Sequence, residues 1–494
     1  MVGEAAEEVT LGSLFEEVAA LRAETARLAA EIAGRWDGWI EREPFAPSAE
    51  NFAHYLAFRR HDIRPLQRRL MQFGLSSIGR AESRVLPTLD AVLAMLRAAG
   101  GGPFAPIAPG SFFAGETRAL AAAEELLGPL TSHSPVRLMV TLPSEAADDA
   151  PLMARLAELG VEVVRINCAH DDDATWARMI AQVDRAAERT GRRMRVFMDL
   201  AGPKIRTGAF RDEKGLKRIA LGQELAITLP GRLREAPPSM PAIECTLTEA
   251  LQAVRPGHRI LVDDGKLETS VLRHEPWGAV VRITAGSDEA GYKLKPEKGV
   301  NFPDTDFTVP ALTQDDREAL RFIARHADAV EYSFVQSPED VAALQDALAG
   351  ERPDWRKLGL VLKIETLRAV RNLPDIVVRA AGRQPTAIMI ARGDLAVEIG
   401  FVRLAEMQEE LLWLGEAAQV PVIWATQVLE SFMKTGIPSR GEMTDAAMAA
   451  RAECVMLNKG PHLFAAIEEL DRLLGRMSGH MHKKTPQLRP LQSW

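Results

Sequence analysis

Apolar positions change their period part-way along the chain. In the first 130 residues the spacing is helical. Leu11, Leu14, Val18, Leu21, Thr25, Leu28 and Ile32 alternate steps of three and four, a heptad seam with one polar member. The seam predicts a helix, either one half of a short coiled coil or, on the plainer reading, packed on its own domain. Further helical stretches are predicted near 48–73 and 80–98, and GGPFAPIAPG at 101–110 reads as a Gly/Pro linker.

Beyond the linker, short apolar runs alternate with helical segments, the mark of a parallel α/β fold. Eight runs qualify as strands: RLMVTL (137–142), VEVVRI (161–166), MRVFMD (194–199), AVEYSF (329–334), GLVLKI (359–364), TAIMIA (386–391), VPVIWA (420–425) and ECVMLN (453–458). Eight βα units predict a closed (β/α)8 TIM barrel. The gap between the third and fourth runs is too long for one connection. Its stretch 209–298 is rich in β-branched residues, Gly and Pro, and predicts a small β domain inserted in one loop. The expected division is a helical region 1–130, barrel 131–208, inserted β lid 209–298, barrel 299–480 and a polar tail 481–494.

Composition narrows the class of protein. The 494 residues are 47% hydrophobic and 26% charged, with a net charge of -8, which argues against a general nucleic-acid binder. Cys168, Cys245 and Cys454 are far apart and form no CxxC pair. That argues against a disulfide framework and against a thiolate zinc site, and suits a reducing cytoplasm. The leading MVGEAAEEVT is acidic and lacks a signal pattern, and no apolar run is long enough to span a membrane.

In barrels of this kind the active site lies at the C-terminal ends of the strands. There the second run delivers Arg165 and Asn167, the third Asp199 followed by Lys204 and Arg206, and the fourth Ser333. The fifth delivers Lys363 and Glu365, the sixth Arg392 and Asp394, and the seventh Thr426. Acidic groups for a metal and cations for phosphate suit phosphoryl transfer, where catalysis is mainly positioning and charge stabilisation. Glu365 and Asp394 are hard oxygen donors suited to one Mg²⁺ or Mn²⁺. Their alternative is an ion pair with Lys363 or Arg392.

The same segments resemble the pyruvate kinase family over residues 135–477, inserted β domain included. The resemblance rests on VVRINCAH (163–170), MDLAGPKIRTG (198–208), VDDG (262–265), KGVNFP (298–303), SFV (333–335), KIE (363–365), ARGDLAVEI (391–399), ATQVLES (425–431) and PSRGEMTDAA (438–447). It implies phosphoryl transfer between phosphoenolpyruvate and ADP/ATP, Glu365 and Asp394 as metal ligands, and a cytoplasmic homo-oligomer with no nucleic-acid or membrane partner. Lys363 is expected to stabilise the phosphoryl group in flight, and Thr426 to sit near the enolate carbon. Arg165 and Arg206 are expected to grip phosphate, and Gly393, just before a helix, to offer N–H groups to the substrate carboxylate. Asp264 and Lys298 are expected to approach the nucleotide from the lid, with Ser333 counted among the cofactor-facing groups.

Three departures from the family pattern stand out. Asn167 and Asp199 keep two ligands of the family's K⁺ site, but a Ser ligand is Ala169 and the Glu of GPEIRTG is Lys204. An ammonium there is expected to replace K⁺, so that K⁺ is not required. The family's SGE becomes Asn458-Lys459-Gly460, which bears on enolate protonation. No counterpart of the family's C-terminal effector domain is expected after the barrel, so regulation is expected to map to the N-terminal region. NFAHYLAFRRHDIRPLQRRLMQFGLSSIGR (51–80) and LNKG (457–460) resemble a long-form group of pyruvate kinase-like proteins. Arg59, Arg60, Arg64, Arg68 and Arg69 form either a solvated helix face or an anion site. Two other functions stay open: a related metal-dependent enzyme acting on an enolpyruvate or 2-oxo acid, and a non-catalytic regulatory protein.

Overall fold

The structure, a computed structural model, describes residues 9–211, 218–286, 291–305, 307 and 309–487. Most of the leading decapeptide, parts of the inserted segment and positions 488–494 of the tail lie outside the described residues. Eight parallel strands close into a barrel: Arg137–Thr141, Val163–Asn167, Arg195–Asp199, Ala329–Tyr332, Gly359–Ile364, Thr386–Ala391, Val422–Ala425 and Cys454–Leu457. Each matches one predicted run. Helices cover the outer face and side chains fill the interior, so the strands are buried nearly throughout and read as continuous apolar runs.

The barrel interior is packed with Met139, Val163, Phe197, Val361, Met389, Ile423 and Met456. The helix Ala114–Leu127 closes its N-terminal end, adding Ala123, Leu126 and Leu127 to the same cluster. Gly359, the first residue of the fifth strand, is needed for this closure. A Cβ there would lie 2.2 Å from Leu126 Cδ1 and 2.8 Å from Ala329 Cβ. With the bottom sealed, the strand C-termini are the open end.

Between the third and fourth barrel strands lies a seven-stranded mixed sheet running from Thr207–Arg211 to Val300–Asn301, with its own apolar core. Arg206 pairs with Gly299 where the chain enters and leaves this sheet.

The N-terminal region packs directly on the barrel. Helix α1 is Leu11–Gly34, α2 Ala46–Phe58, α3 Arg64–Gln72 and α4 Val85–Ala99. The heptad seam is an intramolecular one: Leu14, Val18, Thr25 and Ile32 are buried, and α1 packs on α2 and α4. The single stretch expected at 48–73 is two helices, α2 and α3, because the chain turns at 59–63 and Pro65 starts α3. The start of the tail is docked: Met481–His482 pairs with Thr485–Pro486, Lys483 ion-pairs with Glu453, and Lys484 with Glu82.

Polar side chains fasten this layer to the barrel helices. Trp36 is buried, and its Nε1 donates to Asp375 Oδ1 at 2.7 Å. Asn51 donates from Nδ2 to the carbonyls of Glu82 and Ala417, each at 2.8 Å, and its Oδ1 accepts the Val85 N–H at 3.0 Å. Asn51→Leu removes all three bonds at a buried site and leaves three backbone groups unsatisfied. At about 1–3 kcal/mol for each group, the expected loss is about 3 kcal/mol or more. It should appear as a lowered midpoint in urea unfolding followed by circular dichroism.

Candidate active site

Five charged side chains meet at the open end of the barrel, around Asp199. Asp199 Oδ1 accepts from Lys363 Nζ at 3.0 Å and lies 3.2 Å from Ser333 Oγ, and its Oδ2 accepts from Arg165 Nη2. Arg165 also donates from Nε to Glu331 Oε2 at 2.8 Å and from Nη1 to Thr141 Oγ1 at 3.1 Å. Lys363 Nζ donates to Ser333 Oγ at 2.5 Å and lies 3.3 Å from Glu365 Oε1. The Phe334 N–H donates to Glu365 Oε2 at 2.6 Å. All five charges are buried, and each is paired, as burial demands.

These surroundings set the protonation states. Burial pulls the Lys363 ammonium down, but the charges of Asp199 and Glu365 prevail and hold its pKa above the ordinary value. Burial likewise opposes ionisation of Asp199, and Arg165 and Lys363 overcome it, holding that carboxylate below its ordinary range. Burial pushes Glu365 up to about 7; Lys363 pulls against this and the charge of Asp394 adds to it.

Asp394 sits in the first turn of the helix Arg392–Ile399. Its closest cation is Lys204, 3.8 Å away, and not Arg392. Arg392 instead pairs with Asp445, stacks 4.6 Å over Trp424, and donates to the carbonyls of Ala425 (2.9 Å) and Thr426 (2.5 Å). That grip holds an unusual turn in which Thr426, Gln427 and Leu429 take φ of 64, 57 and 49°. A β-branched residue rarely adopts such a φ. The Thr426 hydroxyl donates to the Ala425 carbonyl at 2.7 Å and accepts the Gly393 N–H at 2.9 Å.

Several expectations need correction. Gly393 lies inside the helix, not before it, and its N–H is already bonded to Thr426. Arg165 is not a free phosphate fork: its guanidinium joins strand two to Glu331 and Asp199. Ser333 is 1% exposed, and its hydroxyl donates to the Leu200 carbonyl at 2.7 Å while accepting from Lys363, so it positions the lysine and does not face a cofactor. Asp199 is surrounded by Arg165, Lys363 and Ser333, and Lys204 lies with Asp394 instead. Glu365 does pair with Lys363. Asn167 uses Oδ1 to accept the Ala169 N–H at 3.0 Å.

At the inserted sheet, Lys298 Nζ pairs with Asp263 Oδ1 at 3.0 Å, not with Asp264. Asp264 is exposed, and its Oδ1 and Lys204 Cε would both lie within 4 Å of a Cβ placed on Gly299. Arg206 binds the strand joints, its backbone N–H donating to Thr246 Oγ1 at 2.9 Å and its Nη1 to the Glu297 carbonyl at 3.0 Å. A cleft of about 240 Å³ opens beside Arg165, lined also by Asn167, His170, Asn458 and Lys459.

Glu331, Asp263 and Asp445 were not singled out as site residues in the sequence, although each lies in a segment quoted from it: AVEYSF, VDDG and PSRGEMTDAA.

Glu365 and Asp394 fit a hard divalent cation. They are two oxygen donors whose like charges oppose each other, and a cation between them removes that cost. No group of three or more His, Cys, Asp or Glu suited to a metal occurs among the described residues. No helix among these residues is long and apolar enough to cross a membrane.

Comparison with known proteins agrees with this geometry. The description "Pyruvate kinase, barrel domain" matches residues 135–461. The chain is 33% identical over 336 residues to a pyruvate kinase of Corynebacterium efficiens, covering 66% of each chain. It is 31% identical over 333 residues to one of Thermotoga maritima, covering 66% of this chain and 67% of the relative. A third, from Methylorubrum extorquens, is 33% identical over 326 residues, 65% of this chain and 63% of the relative. The chain thus spans about two thirds of the length of these relatives. With its eight parallel strands, interrupting sheet and family match over residues 135–461, the chain belongs to the pyruvate kinase family.

Proposed function

We propose that the barrel mouth transfers the phosphoryl group of phosphoenolpyruvate to ADP, giving pyruvate and ATP. The observation that carries this reading is the buried ammonium of Lys363, kept charged between Asp199 and Glu365 and next to the carboxylate pair Glu365 and Asp394. Phosphoryl transfer needs fixed positive charge where negative charge spreads in the transition state, in a site that need not reorganise. Ser333 and Asp199 fix the lysine from one side, and Arg165 fixes Asp199 in turn.

Glu365 and Asp394 would hold Mg²⁺ or Mn²⁺, which when bound supplies charge neutralisation on phosphate and carboxylate oxygens. The helix start at Arg392–Ile399 favours the carboxylate of the substrate. When that carboxylate takes the Gly393 N–H, the Thr426 hydroxyl is released to face the enolate carbon. Lys298, Asp264 and Arg206 approach the nucleotide phosphates from the inserted sheet, which acts as a lid. Asn458 and Lys459, which stand where the family has SGE, line the cleft beside Arg165.

Lys204 bears on the monovalent ion. Its ammonium supplies positive charge near Asp394 and the substrate phosphate, and Ala169 removes an oxygen ligand that an ion would need. K⁺ is therefore dispensable in this reading.

The decisive experiment is a coupled assay of pyruvate formation from phosphoenolpyruvate and ADP, with and without Mg²⁺. Metal-dependent pyruvate formation is expected; its absence under all metal conditions overturns the reading. Lys363→Met is expected to lower kcat by roughly 10²–10³, about 3–4 kcal/mol, with phosphoenolpyruvate still bound. Near-normal turnover in that variant would remove Lys363 from its role. Glu365→Gln and Asp394→Asn should raise the Mg²⁺ concentration giving half-maximal rate, read by metal titration of the same assay. In a tetramethylammonium buffer the rate is expected to stay unchanged as KCl is titrated in at constant ionic strength. A several-fold rise would show that Lys204 does not replace the ion.

A further inference from the structure

A cleft of about 390 Å³ lies away from the barrel mouth, where the N-terminal helices meet the barrel helix Phe401–Ala418. The end of α2, the turn at 59–63 and the segment 78–82 form its walls, completed by Trp413 and by Lys484 of the C-terminal hairpin. Its volume suits a small metabolite.

The charges around the cleft do not balance. Lys484 is paired with Glu82, and Arg64 with Asp62 at 2.7 Å. Arg59 has no carboxylate partner among the described residues. Its guanidinium lies 5.5 Å from the centroid of the Tyr55 ring and 4.9 Å from that of Trp413, and Nη1 donates to the Tyr55 hydroxyl at 2.5 Å. Lys484 Nζ lies 4.6 Å from a ring centroid of the same indole. Two cations thus converge on one aromatic side chain, whose attraction for each is modest. The guanidinium is held by its rings and keeps N–H groups free for a planar or tetrahedral anion.

Two other features mark the walls. Trp413 Nε1 and His61 Nε2 are buried with no hydrogen-bond partner, and the indole N–H can only donate. Ile78 is buried with φ 51°, a strained conformation for a β-branched residue that persists only where its surroundings enforce it.

We propose that this cleft binds a small phosphomonoester. Arg59 is the main contact of the phosphate, Arg64 and Lys484 flank it, and the aromatic side chains of Tyr55 and Trp413 receive a flat or apolar body. A tetrahedral phosphate has enough oxygens to accept from Arg59, Arg64 and Lys484 together, which a planar carboxylate does not. The site is independent of the reaction assigned to the barrel mouth, and its test does not require activity.

The test is isothermal titration of the full chain with phenyl phosphate, with inorganic phosphate and benzoate as comparison probes. Arg59→Met and Lys484→Met are titrated alongside, each first shown to keep the wild-type circular dichroism spectrum. Phenyl phosphate is expected to bind the wild type more tightly than either comparison probe, and to bind Arg59→Met roughly tenfold or more weakly, with a smaller loss in Lys484→Met. Equal affinity in the wild type and both variants overturns the site. Benzoate binding as tightly as phenyl phosphate overturns the phosphomonoester.

Discussion

Everything at the barrel mouth depends on pairing charges that have been taken out of water. Asp199 is the centre. It is ionised because Arg165 and Lys363 outweigh its burial, and Lys363 is charged because Asp199 and Glu365 outweigh its own. Neither state survives without the other. Removing water from three carboxylates and two cations is costly, and the barrel offsets that cost by bringing the partners together from its second, third, fourth and fifth strands. The result is a cation whose position is set before any substrate arrives, which is what a reaction with a highly charged transition state requires.

The same principle orders the surroundings. Arg392 spends its guanidinium on Asp445 and on the carbonyls of Ala425 and Thr426, and so holds a turn that Thr426 would not adopt alone. Lys298 is spent on Asp263, and Lys204 lies beside Asp394. The cations of this site divide into those that hold other groups and those left to meet a ligand. Residue type alone does not separate the two.

This division marks how far the sequence could be read. The eight strands were legible because a strand buried on both faces must be apolar along its length. Their polar ends were legible because a charge directly after such a run has to serve some purpose. Partner choice was not legible. Arg165 looks like a phosphate ligand until Glu331, from a strand 166 residues away, is seen to occupy its Nε. Asp263 and Asp264 are neighbours in a turn where both take φ near 57°, and only their backbone geometry decides which one meets Lys298. The α1 seam had the right period, yet periodicity cannot say which surface covers it. Here that surface is α2 and α4 of the same chain.

The polar fastenings of the N-terminal layer span long stretches of chain: Trp36 to Asp375, Asn51 to Ala417 and Glu82 to Lys484, separations of 339, 366 and 402 residues. On the ribosome the N-terminal helices therefore emerge long before the groups that complete them. At ordinary synthesis rates the delay is on the order of 20 to 80 s. Through that interval Trp36 lacks the acceptor of its Nε1 and Asn51 lacks the Ala417 carbonyl, the last of its three partners. A layer that looks like an independent leading module is, in the order of assembly, among the last parts of the molecule to be finished.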